Sequence, residues 1–330
     1  MALNKLIALY SYLKAKQLRK QGTYNRKTLK CFLRAWRLDS NQRYLVEYIK
    51  YRRDLGKVVS SSLANKLQAI WSQLSAKDQA LMTAFLAEIQ ARPVLLADDQ
   101  ATLIPAALAS KRVEFLSEQQ RLMLCIYTEQ DHWRAALATV LQQRASKEGI
   151  CVVGNAGIMK QSGLGAKIDS AALVVRFNAY QEGEQRLADL GEKCQMWCVT
   201  ASFKAALSTN IQWLIVIGPE LQYRLADWSY FAAFRQHGIP VITIPLQIWR
   251  QLVAELQAPP SAGVTVLAFF YSLLGSWSGV SVAGFGALSQ MRSSYHYMNT
   301  KNKASQRHNW LGEQRLIERW RHEGLRSLHE

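Results

Sequence analysis

The chain has 330 residues, 49% hydrophobic and 20% charged, a balance that builds one large or two ordinary globular domains and excludes a disordered polymer. No apolar run of 18 or more residues is free of charges and polar clusters, so the sequence indicates no spanning helix. Lys and Arg outnumber Asp and Glu by 17, and residues 1–60 hold fifteen of those cations against Asp39, Glu47 and Asp54 only. A face that basic suits an anionic membrane, an acidic polysaccharide or a partner protein. It carries no RNA-binding or helix-turn-helix signature, so nucleic acid is not expected as a partner.

The amino terminus, MALNKLIALYSYLKAKQLRK, lacks the long apolar core and small-residue cleavage site of a secretory signal. The five cysteines, at 31, 125, 151, 194 and 198, are odd in number and do not form a disulfide framework. Both features set the expected location as cytoplasmic, with residues 1–60 able to hold the protein at the periphery of the inner membrane. Cys194 and Cys198 form a C-x3-C pair without a His or Cys cluster to complete a zinc site, and buried thiols are the simpler reading.

Residues 1–148 read as a basic, helical domain. Leu6, Leu9 and Leu13 recur at helical spacing, as do Leu29, Phe32, Leu33 and Trp36. A turn at Gln21–Tyr24 separates two helices, the second ending near Asp39, in a pattern similar to a tetratricopeptide repeat. A weaker echo runs from Leu122 to Leu141 with its turn at Asp131-His132-Trp133; an ordinary helical bundle gives similar stripes. Pro93, Pro105 and the polar stretch 98–100 punctuate the helices between.

Residues 149–330 change texture. Apolar runs at Ile150–Val153, Leu173–Phe177, Met196–Val199, Trp213–Ile217, Val241–Ile244 and Val280–Ala283 read as strands, several followed by glycine turns. Helical segments, notably Tyr223–Gln236 and Val264–Leu274, lie between them. Continuous apolar strands alternating with helices describe a Rossmann-like α/β fold with a mainly parallel, doubly covered sheet. Ligands bind such sheets beyond the carboxyl ends of the strands.

Three clusters at those turns carry chemistry. The stretch after Val153 offers backbone N–H groups at Gly154, Gly157, Gly163 and Gly165, where a phosphate or nucleotide can approach closely. It is neither a P-loop nor a G-x-G-x-x-G fingerprint. Pro259-Pro260-Ser261-Ala262-Gly263 precedes an apolar helix for which Ser261 is an N-cap, leaving free N–H groups as an anion site. His296 and His308, with Glu313 five residues after His308, supply a general base and a phosphate-holding cation. Each feature alone also has a structural reading: a ligand-free glycine turn, a capped core helix, a surface histidine.

Taken in order, these clusters resemble the sialyltransferases, glycosyltransferase family 29, over roughly residues 150–325. Cys151–Tyr180 is similar to the family's large motif, from V-V-G-N-x-G to the R-x-N at Arg176-Phe177-Asn178. Pro260–Gly286 resembles the small motif, Tyr295-His296-Tyr297 the third, and His308 to Glu313 the very small motif, H-x4-E. The resemblance implies a Rossmann-like transferase domain of the GT-A type, working without metal or cofactor on a CMP-sugar donor and a glycan or glycolipid acceptor. It implies nucleotide contacts from Asn155, Gly157, Asn178, Ser261, Ala262, Gly263 and Gly286. His308 would deprotonate the acceptor, His296 would hold the departing phosphate, and Glu313 would support His308. Sialic acid is the first expectation for the sugar. Kdo, another 2-keto acid carried on CMP, is the alternative, in lipopolysaccharide or capsule synthesis; a catalytically lapsed sugar-nucleotide binding module is a third. The chain departs from the family where Asn299 stands near the acid that closes the third motif, and where P-S-T-G reads P-S-A-G. No Cys follows position 198 to pair with Cys151, so the disulfide common in animal members cannot form.

Overall fold

The computed structural model describes residues 2–57, 59–76, 78–79, 82, 117–147, 149–180, 184–200, 203–204, 210–218, 228–285, 305 and 307–330. The amino-terminal part is all helical: α1 (Ala2–Lys20), α2 (Arg26–Asp39), α3 (Gln42–Asp54) and α4 (Ser61–Ala69). Asn25, Asn41 and Ser60 cap α2, α3 and α4 by accepting from Thr28 N, Arg43 N and Leu63 N, which satisfies amides that open a helix without partners. Their core is aromatic: Tyr12, Phe32 and Tyr51 pack in succession, and the Tyr51 hydroxyl donates to Thr23 O at 2.7 Å. The leucines that mark α1 in the sequence are not the residues it buries. Ala8, Ser11, Tyr12 and Ala15 face the core, while Leu3, Leu6, Leu9 and Leu13 lie in solvent.

The rest is built on seven strands: β1 (Ile150–Val153), β2 (Leu173–Phe177), β3 (Met196–Thr200), β4 (Trp213–Ile217), β5 (Val241–Thr243), β6 (Val280–Ala283) and β7 (Arg326–Ser327). They run in the order β5-β4-β3-β2-β1-β6-β7 and every pairing is parallel. The expected Rossmann-like sheet is thus present, with β7 added at one edge. The central strands alternate between the two faces of the sheet. Ile150, Val152, Leu173 and Val175 join the larger core; Cys151, Val153 and Val174 join Met159, Ile168 and Ala283 on the other side.

Between Ala69 and the sheet, the described α-helices are α5 (Glu118–Thr128) and α6 (Gln130–Ala145), after a short 3-10 helix at Trp71–Gln73. Their junction is at Glu129, so Asp131-His132-Trp133, expected as a turn, lies in the first turn of α6. Ile126, Trp133, Leu137 and Leu141 are buried in the sheet's core, not with α1–α4. Side chains of α6 also bond β5 directly. Gln130 Nε2 donates to Val241 O at 2.8 Å, its Oε1 accepts from Thr243 N at 2.7 Å, and Arg134 Nη2 donates to Thr243 O at 2.8 Å. Pro93, Pro105 and the stretch 98–100 lie outside the described residues.

Among the described residues, five helices alternate with the strands: α7 (Gly165–Asp169), α8 (Glu184–Leu190), α9 (Trp228–Gln236), α10 (Leu246–Leu256) and α11 (Ala262–Leu274); α12 (Trp310–His322) precedes β7. Helix α10 has two apolar faces. Ile248, Leu252 and Leu256 enter the sheet's core, whereas Trp249 and Val253 enter the core of the amino-terminal helices. Trp249 Nε1 donates to Asp54 O at 3.0 Å, and Tyr24 N donates to Gln257 O at 3.1 Å. Trp277 lies between Tyr271 and Trp320, with centroids 5.0 and 5.1 Å away, and so fixes α12 to α11. All five cysteines are free thiols, Cys151 and Cys198 fully buried and Cys31, Cys125 and Cys194 partly so.

Candidate functional site

The strand order runs one way from β1 to β5 and the other way from β1 through β6 to β7, so the sheet has its switch point between β1 and β6. A crevice opens at such a point beyond the carboxyl ends of the strands. Gly154 and Gly284, the residues that follow β1 and β6, close that crevice at its floor. A Cβ on Gly154 would lie 2.5 Å from Gly284 O, and one on Gly284 would lie 2.5 Å from Gly154 O. Gly284 also has φ +72°, a conformation that suits glycine. Gly284 N donates to His329 Nε2 at 3.1 Å, a contact that nothing in the sequence pattern announces.

Phe285 stands next to Gly284 and covers two glycines. A Cβ on Gly263 would meet its ring at 2.6 Å, and one on Gly154 would meet it at 3.3 Å. The turn after β1, the turn after β6 and the amino end of α11 therefore converge on one aromatic ring. Gly157 opens a one-turn 3-10 helix, Gly157–Met159, three residues past Gly154. The loop that follows is held by Asp189, which is buried and accepts from Gln161 N at 2.7 Å and Gly163 N at 2.9 Å. Arg176, buried as well, donates to Lys193 O and Leu190 O, both at 2.6 Å, and so is a fastener of the chain leading into β3.

Asn155 and Asn178 are both tied to backbone. Asn155 Nδ2 donates to Phe177 O at 3.0 Å, linking the end of β1 to the end of β2. Asn178 has φ 43°, a left-handed conformation that asparagine tolerates better than most residues. Its Oδ1 accepts from Thr200 N at 3.0 Å, its N donates to Cys198 O, and its O accepts from Trp197 Nε1 at 2.8 Å. The side chain is thereby held at the carboxyl ends of β2 and β3 with Nδ2 remaining as its donor.

The second and fourth motifs interlock. Ser261 caps α11, its Oγ accepting from Val264 N, while Ser261 N donates to Glu313 Oε1 at 2.7 Å. Two residues earlier, Pro259 O pairs with His308 Nδ1 at 2.8 Å. Asn309 Nδ2 donates to Leu256 O at 2.9 Å, and its Oδ1 accepts from Gly312 N to cap α12. A carbonyl can only accept, so Nδ1 carries the imidazole proton and Nε2 presents its lone pair. Trp310 packs edge-on to the imidazole at 5.0 Å. Burial lowers the pKa of His308 below 6.5; the Pro259 bond opposes the shift and nearby Arg307 adds to it. The ring is therefore neutral near pH 7, the form a general base needs. Glu313 is 3% exposed, and burial lifts its pKa to about 7 against the Ser261 hydrogen bond, which favours the anion.

Of the residues expected to act together, Ser261, Ala262, Gly263, His308 and Glu313 are in one cluster, and Gly154 and Phe285 join it to Asn155, Gly157 and Asn178. Gly286 and His296, with the rest of the third motif, lie outside the described residues. Asp169 accepts from Glu192 N at 2.8 Å and Lys193 N at 3.0 Å. Among the described residues no group of three or more His, Cys, Asp and Glu is placed to hold a metal ion.

Among solved structures, the chain is similar to a mammalian sialyltransferase in complex with Gal-beta-1-3GalNAc-ortho-nitrophenol. That likeness is 19% identical, covers 72% of this chain and 87% of the other, and has a TM-score of 0.44. A second mammalian sialyltransferase structure is 18% identical over 67% of this chain and 88% of the other, with a TM-score of 0.42. No curated protein sequence matches. Residues 105–223, which carry the whole of the first motif, match the family model of glycosyltransferase family 29 (sialyltransferase).

Proposed function

We propose that this protein is an inverting, sialyltransferase-type glycosyltransferase that moves an acidic sugar from a CMP donor to a glycan acceptor. The observation that carries the reading is the interlock of Pro259–Ser261 with His308–Glu313. It sets a neutral imidazole, anchored through Nδ1, beside the amino end of a 13-residue helix. A helix amino terminus favours an anion, here the single phosphate of CMP. The base and the leaving-group site then need no metal between them.

In this reading, Nε2 of His308 takes the proton of an acceptor hydroxyl as that oxygen attacks the anomeric carbon. The bond from that carbon to the phosphate oxygen breaks, its electron pair leaves with CMP, and the configuration inverts. The proton remains on the imidazole until it is lost to solvent. Ala262 and Gly263 would line the phosphate, Asn178 Nδ2 would meet the nucleotide, and Glu313 would hold Ser261 and the start of α12 in place. Sialic acid is the first donor to test and Kdo on CMP the second, because both present the same nucleotide and a carboxylate.

Calorimetric titration of CMP, CDP and UMP, without added metal, tests the donor class. We expect selective binding of CMP that weakens at least about tenfold in Asn178→Ala, the loss of one good hydrogen bond to a charged or polar ligand. His308→Ala is expected to keep CMP binding and to lose transfer by roughly 100- to 10,000-fold, the range for a general base. Equal binding of all three nucleotides would overturn the CMP assignment. CMP binding without any transfer would mark a lapsed binding module.

A further inference from the structure

Helix α1 carries an apolar stripe that no part of the described protein covers. Leu3, Leu6, Leu9, Tyr10 and Leu13 are 44–68% exposed, which is unusual for five large apolar residues on one helix in water. Their spacing of three and four residues puts them on one side, opposite Ala8, Ser11, Tyr12 and Ala15, which seat the helix on its neighbours. The helix contains no acidic residue. At 100° per residue, Lys5 and Lys16 lie along one border of the stripe and Lys14 along the other, with Lys20 at its end; all four are exposed. Across a five-residue turn, α2 presents Arg26, Lys27, Lys30, Arg34 and Arg37, exposed as well.

We infer that α1 is a membrane-docking helix, lying flat on an anionic bilayer with its leucines in the acyl boundary and its lysines among the headgroups. The chemistry of the face selects this occupant. Leucines flanked on both sides by long cationic side chains match the interfacial helix, in which lysine stems snorkel beside the apolar stripe. Nucleic acid would use the cations and leave the leucines in water. A second copy pairing through the same stripe would bring two sets of lysines together, and like charges oppose it. The bilayer satisfies both halves of the face, and each cation near it adds to the attraction. No helix among the described residues is long and apolar enough to cross a membrane, so the contact is a surface one. The inference goes beyond the proposed reaction and does not depend on it.

Flotation with vesicles tests the assignment on the whole protein, using phosphatidylcholine alone and phosphatidylcholine mixed with phosphatidylglycerol. The wild type is expected to float with the mixed vesicles and much less with phosphatidylcholine. Leu6→Ser with Leu13→Ser should lower partitioning roughly tenfold or more, since each removes a side chain from the acyl boundary. Both positions are exposed, so circular dichroism and CMP affinity should stay unchanged. Lys5→Ser with Lys14→Ser and Lys16→Ser should weaken the preference for the anionic lipid, the exposed cations of α2 keeping the remainder. Absence of flotation, or flotation equal in the leucine variant, would overturn the inference. So would light scattering that shows a dimer in solution, broken by the same leucine changes.

Discussion

Glu313 is a carboxyl in a place that disfavours its charge, and its behaviour follows from that placement. Burial raises its pKa from 4.5 to about 7 even though Ser261 N–H donates to it. A raised acid binds its proton in the folded state at pH values where the unfolded chain has released it. Its contribution to stability is therefore full below about pH 4.5 and is lost as the pH rises through about 7. The size is on the order of 3 kcal/mol, from the width of that window. Glu313→Gln keeps a carbonyl oxygen for Ser261 and removes the titration. Urea unfolding between pH 5 and 8 should show the wild type losing more stability with rising pH than the variant, in which Asp54, also raised by burial to about 6, still titrates. Parallel slopes in the two proteins would show that Glu313 does not titrate there. The acidic limb of the transfer rate should fall below pH 6.5, the direction in which His308 is shifted.

At the scale of elements, the meeting of α11 with the turns after β1 and β6 depends on glycine as much as on any polar group. Gly263→Ala would place a methyl 2.6 Å from the Phe285 ring, so either the ring or the helix must move. We expect a loss of about 1–3 kcal/mol in stability, as for other overpacked sites. CMP affinity should fall with it, read by calorimetry. Adding Phe285→Leu should restore most of both if the ring is the obstacle. The strands that frame this site were legible in the sequence because each is a short apolar run ended by a glycine turn, Ile150–Val153 and Val280–Ala283 above all. The site's fasteners were not. Asp189 reads as an isolated acid until the fold brings it to Gln161 and Gly163, and His329 reaches Gly284 from 45 positions away. Periodicity showed that α1 is a helix but not which side is buried, because small and hydroxylated residues, Ala8, Ser11 and Ala15, fit the close approach of α1 to its neighbours.

Across the whole molecule, α10 is the wall that two cores share. Trp249 is buried among the amino-terminal helices and bonds Asp54 O, while the opposite side of the same helix lies on the sheet. The helix ends at Leu256, whose carbonyl accepts from Asn309, three residues before Pro259. Trp249→Ala should cost about 3–5 kcal/mol, the usual range for removing a buried Trp. Because the wall is shared, circular dichroism during denaturation should still show one transition, moved to lower denaturant, and CMP affinity should weaken with it. Two separated transitions, with the sheet unaffected, would show that the two cores are independent. The two-sided role of α10 was hidden from the sequence, since each side alone looks like an ordinary amphipathic stripe.

The side chains by which α6 grips β5 bear on how the protein behaves in a crowd of its own copies. A sheet's outermost strand exposes a row of backbone donors and acceptors on which a stray chain can build a further strand. On β5, Val241 O, Thr243 N and Thr243 O are already occupied by Gln130 and Arg134. The opposite margin, β7, is only two residues long. Among the described residues the sheet thus offers little free margin on which fibrous or swapped assemblies could nucleate, and this strongly basic protein held at high local density should not polymerise through those strands.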